Sequence, residues 1–173
     1  AILDSSESSF PLVRASAQAL GKLGSSQAAS KLIVMSRARD AKRMGVIAGM
    51  GHCRRAMVAS RLAEILSSAK RDADVELYAR SMGDVANSWA WQTPVIAKSG
   101  ERKQTRDIAL DALLDSFIAQ GSAHARKMLT QAVLVVDHPA TKKLIEQKKA
   151  GRSATTQRAL EGLAKRYDNS PLH

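Results

Sequence analysis

Four features of this chain carry residue types that do chemistry, and their spacing limits what that chemistry is. His52 and Cys53 are adjacent, as a thiol and an imidazole would be in a nucleophilic pair. The other histidines (His124, His138 and His173) are scattered, and there is no Cys-x-x-Cys and no His-x-x-x-His. Neither zinc-ligand spacing nor a catalytic triad is spelled out. Cys53 therefore reads as a packing residue in a helix–helix turn, and Gly49-Met50-Gly51 as helix-end punctuation rather than a phosphate loop. Asp107, Asp111 and Asp115 stand at i, i+4 and i+8, one acidic stripe on a helix. The stripe reads as a solvated outer face, with a ridge for a partner of opposite sign as the alternative. Trp89 and Trp91 concentrate both tryptophans in a chain that is 3% aromatic. With Asp84 nearby, they would be the rings and carboxylate of a base-stacking site. No catalytic residue, metal ligand or cofactor is assigned from these features.

Charge says more about partners. The chain has 27 Lys and Arg against 16 Asp and Glu, a formal net charge of +11. Such a balance favours an acidic partner. An acidic protein or peptide is the leading expectation and nucleic acid the alternative. Few aromatics are present for stacking a single strand, and no helix-turn-helix or zinc finger is recognisable. No apolar run reaches the ~18 residues of a membrane-spanning helix. The basic stretch 142–152 has too few bulky apolar residues for an interfacial one. A single cysteine rules out an intrachain disulfide and suits a reducing, cytoplasmic setting. The chain opens on AILDSS without Met, as a cropped or processed protein would.

The elements that must position these residues read as helices throughout. Ala, Leu, Lys, Arg, Gln and Met favour helix, and no sustained β-type alternation appears. Apolar periodicity predicts helices over 11–24, 25–38, 40–51, 54–69, 74–87, 102–119, 122–136, 139–150 and 153–167. Pro11 suits a first helical turn, Gly24 a helix end and Asp40 an N-cap. Short connections make the helices antiparallel pairs. The first members, here A-type, are 11–24, 40–51, 74–87, 102–119 and 153–167. They share an apolar-x-x-apolar core: Leu20/Leu23, Ile47/Met50, Met82/Val85, Leu114/Phe117 and Leu160/Leu163. The B-type partners are 25–38, 54–69, 122–136 and 139–152. The partner of 74–87 reads as a stunted helix from Thr93-Pro94 to Gly100, after an irregular stretch holding both tryptophans. One ring is expected to fill the gap there, and the other to lie at the surface. Irregularity at 88–100 aside, residues 1–173 read as one domain of 4–5 repeats, complete or part of a longer chain. Ala15, Ala17, Ala19 and Gly21, then Gly45, Ala48, Gly49 and Gly51, would let stacked helices approach closely.

Val13-Arg14, Ala17, Ala19-Leu20-Gly21 and Leu23-Gly24 resemble the first helix of a HEAT repeat. The resemblance is good over 11–35 and weak over the rest. It implies an all-α fold, a right-handed α-solenoid of antiparallel helix pairs, with B helices lining a concave face. Such solenoids usually serve as binding scaffolds, and some relatives are enzymes, such as bilin lyases and alkylpurine DNA glycosylases. On the pairing above, nearly all the net charge falls on B-type segments. The expected function is therefore a non-enzymatic scaffold that presents a basic B-helix face to an acidic protein or peptide. Its expected contact residues are Arg54, Arg55, Arg61, Trp89, Trp91, Arg126, Lys127, Lys142 and Lys143.

Overall fold

The computed structural model describes residues 9–91 and 101–171. Among them the chain forms nine α-helices and no strand: α1 (Phe10–Lys22), α2 (Ser26–Met35), α3 (Lys42–Met50), α4 (Ala56–Ser67), α5 (Asp72–Ala86), α6 (Glu101–Ala119), α7 (Ala123–Val136), α8 (Thr141–Lys149) and α9 (Ala154–Asp168). A 3-10 turn spans Trp89–Trp91. Local chemistry explains several starts. Ser25, Ser122 and Ser153 each accept the backbone N–H three residues on, from Ala28, Ala125 and Thr156. Asp40 Oδ1 accepts the Lys42 N–H at 3.0 Å, just ahead of α3. Gly24 ends the first helix with φ 63°, a conformation a side chain would resist. The expected helix from Thr93 to Gly100 lies outside the described residues.

The helices pack in two rows. Contacts run α1–α3–α5–α7 along one and α2–α4–α6–α8 along the other, while α9 packs on α8. This arrangement is compatible with a helical repeat. It also corrects the pairing drawn from the sequence. Helix α6 lies on α4 and α7 lies on α5. The partner of α5 is thus the long helix Glu101–Ala119, and Ala123–Val136 belongs to the row of α1, α3 and α5. Arg126 and Lys127 change rows with it, so the two rows are both basic and the expected one-sided charge disappears.

Close approach within the first row is made by glycine. A Cβ on Gly45 would stand 2.9 Å from Val13 Cγ1, and one on Gly49 would overlap Ala17. Helix α5 meets α7 less tightly: a Cβ on Gly83 would stand 3.4 Å from Ala132, an ordinary van der Waals contact. Mid-helix glycine costs about 1 kcal/mol relative to alanine, which these backbone contacts offset. The rest of the core is aliphatic, with Leu32, Ile47, Met50, Leu62, Leu66, Met82, Leu110, Leu113, Leu114 and Leu129 fully buried. None of the described helices is long and apolar enough to cross a membrane.

Candidate acidic-ligand groove

The His52–Cys53 pair has no nucleophile to offer. Cys53 is fully buried, and burial pushes its thiol up to about 11, so it stays protonated near neutrality. His52 is pushed below its ordinary value by burial, against the pull of Asp84 and with help from Arg54, Lys22 and Arg14. Burial raises Asp84 in turn, while His52, Arg80, Arg54 and Arg14 oppose it. The two tryptophans do not stack beside this carboxylate as a pair. Trp91 is fully buried and its indole Nε1–H donates to the Val85 carbonyl at 2.9 Å, whereas Trp89 is 64% exposed. One ring inside and one outside is what the i, i+2 spacing suggested. Trp91 is therefore no contact residue, contrary to its inclusion among them. Among the described residues no three His, Cys, Asp or Glu side chains gather as a metal site.

The acidic stripe on α6 is a ridge of opposite sign to a partner within the chain. Lys148 of α8 reaches Asp111 at 2.7 Å and Asp115 at 2.5 Å. Burial disfavours the Lys148 ammonium, but the hydrogen bonds to both carboxylates outweigh it and raise its pKa. Asp107 pairs with Lys103 at 2.6 Å and with His138 Nε2 at 3.1 Å. His138 also accepts the Ala140 N–H on Nδ1, so both ring nitrogens are engaged and the ring is a staple rather than a base.

Several expected contact residues are likewise engaged inside the fold. Arg55 donates to the Gly24 carbonyl and to Ser26 Oγ, both at 3.1 Å, and pairs with Glu101 at 2.9 Å. The same Glu101 accepts the Ala56 N–H at 2.8 Å, so a side chain from α6 caps α4. Arg61 bonds Ser36 Oγ at 3.1 Å and Glu64 at 2.8 Å. Arg54 donates to the His52 carbonyl at 3.2 Å, and Lys142 pairs with Asp168 at 2.7 Å. Lys143 is exposed and lines a shallow cleft that also holds Asp107 and Asp111, so carboxylates already face it.

Arg126 and Lys127 stand differently. They line a groove of about 570 Å³ between α7 and α9, together with Arg166, Thr130, Phe117, Leu163, Ala159, Ala123, Gly121 and Gly162. A continuation of about 340 Å³ adds Gln131, Leu134, Asn169 and Pro171. Among the described residues three cations face this space and no carboxylate does. The Arg126 guanidinium lies over the Phe117 ring, 5.5 Å from its centre, and its Nε is buried without a hydrogen-bond partner. None of Arg126, Lys127 and Arg166 forms an ion pair among the described residues. The N-terminal turn of α7, at Ala123, borders the groove and adds partial positive charge.

Sequence reading missed Arg166 and Gly162, because α9 lies across from α7 only in the folded chain. It also missed Arg106, which is buried and donates to the Val136 and Asp137 carbonyls at 2.9 and 2.6 Å, closing the end of α7. A lone arginine within an amphipathic helix gives no signal of such a role. Comparison with family models and with curated proteins finds no match.

Proposed function

We propose that the protein is a non-enzymatic, HEAT-like α-solenoid scaffold that binds an acidic segment of a protein partner in the groove between α7 and α9. This moves the expected binding face from the B-type helices to the gap between two helices. The observation that carries the reading is the groove's composition: Arg126, Lys127 and Arg166 around an apolar floor, with no carboxylate among the described lining residues. Elsewhere on the surface the cations expected to bind a partner, Arg55, Arg61 and Lys142, already hold carboxylates. Unneutralised cations in a concave, partly apolar site attract carboxylates more strongly than solvated ones do, because the walls focus the field. An arginine stacked on an aromatic ring is pre-oriented for a planar carboxylate. The buried thiol and the doubly bonded His138 support a binding role rather than a catalytic one.

The test is fluorescence anisotropy with labelled poly-L-glutamate and, separately, labelled DNA, across a salt series. Wild type should bind poly-L-glutamate, and R126E/K127E/R166E should weaken it by more than tenfold with unchanged helical circular dichroism. Unchanged affinity in that variant would sink the proposal. Tighter DNA binding, with a steep salt slope and protection of a defined length, would favour nucleic acid instead.

A further inference from the structure

Within the first row, mid-helix glycines are contact points. Gly45 and Gly49 of α3 receive α1, with no room for a methyl group, and Gly83 of α5 receives α7. Gly162 holds the comparable place in the middle of α9, but a Cβ built there would meet nothing within 4 Å. It is exposed and faces the groove. A glycine in the interior of a helix is destabilising unless something requires it, and none of the described residues crowds this one. Its neighbours on the same wall, Ala159 and the buried Leu163, keep the floor low and apolar.

Resting on the reading of the groove as the binding site, we propose that Gly162 is its specificity-determining floor. The acidic segment lies along α9 with its main chain against Gly162, as α1 lies against Gly49. The carboxylates on either side of that contact then reach Arg126 and Lys127 on one wall and Arg166 on the other. The occupant this geometry admits is an acidic peptide whose main chain comes close to α9 at Gly162, with its own side chains turned to the walls. A side chain on α9 at position 162 would hold that main chain away. Charge complementarity chooses the acidic class, since the described lining residues carry three cations and no anion.

The experiment uses Gly162→Ala and Gly162→Leu in the full chain, with Thr155→Leu, an exposed position on the same helix, as control. Thermal melting and labelled poly-L-glutamate binding are read side by side. Both Gly162 variants should melt at or above the wild-type temperature, because each replaces a poor helix former by a good one in open space. Gly162→Leu should bind at least tenfold more weakly, Gly162→Ala should fall between, and Thr155→Leu should bind as wild type does. Wild-type affinity in both Gly162 variants would overturn the inference. If R126E/K127E/R166E also left binding intact, the groove reading would fall with it. If that triple variant lost binding while the Gly162 variants kept it, only the role of Gly162 would be wrong. Should Gly162→Leu melt lower than wild type, Gly162→Ala alone decides, by binding more weakly than Thr155→Leu or not.

Discussion

The guanidinium carbon of Arg126 stands 5.5 Å from the centre of the Phe117 ring, which fixes the charge at the mouth of the groove between α7 and α9. Cation–π contact of this kind contributes about 0.5–1 kcal/mol at exposed sites. Arg126→Lys keeps the charge and loses the planar stack. It should weaken poly-L-glutamate binding severalfold and lower the melting temperature by no more than the loss of this one contact, about 0.5–1 kcal/mol, allows. A lysine variant with wild-type affinity would show that charge alone, and not the ring, places this group.

Arg55 and Glu101 form a second pair, and its effect belongs to stability rather than binding. Glu101→Ala leaves the Ala56 N–H without its acceptor and Arg55 without its ion-pair partner. Loss of a helix N-cap costs about 0.5–2 kcal/mol. The variant should show that loss in chemical denaturation, with poly-L-glutamate affinity unchanged. A stable variant would mean that the contact between α6 and α4 rests on apolar packing alone.

The two tryptophans should separate cleanly. Trp91→Ala empties a fully buried site and breaks the bond to the Val85 carbonyl. Large-to-small changes of this type cost about 3–5 kcal/mol. Trp89→Ala removes a side chain that is 64% exposed and should leave the melting temperature nearly unchanged. Equal destabilisation by both would contradict the inside–outside assignment.

Stability should fall on mild acidification, in part through His138. Burial lowers its pKa below 6.5, Arg106 adds to the effect, the Asp107 charge and hydrogen bond oppose it, and Lys103 adds a little more. Between its native pKa and about 6.5 the unfolded chain then binds more protons than the native one, so stability rises with pH. The contribution is complete above about 6.5 and is lost as pH falls through that window. His138→Asn should flatten the dependence between about pH 7 and 5 relative to wild type, as read by denaturant titration at each pH. His52 acts in the same direction and remains in the variant, so a residual slope is expected. An unchanged slope would remove His138 from the account.

Much of the fold was legible from periodicity, and the boundaries of the described helices fall within a few residues of those expected. The small-residue positions were also legible, since Gly45 and Gly49 stand where α1 packs closely on α3. The phase of the pairing was not. The helices share one grammar of small and apolar residues, so nothing local says whether α6 follows α5 as its partner or opens a new pair. A short apolar stretch after Pro94 was enough to shift the reading by one helix. That shift in turn moved Arg126 and Lys127 to the wrong row. The acidic stripe shows the same limit. Asp111 and Asp115 were visible as one face, but their partner Lys148 lies 33 residues on from Asp115, and only the packing of α8 on α6 brings it there.

The central claim is the place where an acidic segment binds, and hydrogen–deuterium exchange on the full chain with saturating poly-L-glutamate tests it most directly. Added protection should concentrate in two stretches, 121–130 at the start of α7 and 159–166 in α9, with little change around Arg54, Arg55 and Arg61. Protection centred on 54–61, or spread evenly over the surface, would contradict the groove as the binding site.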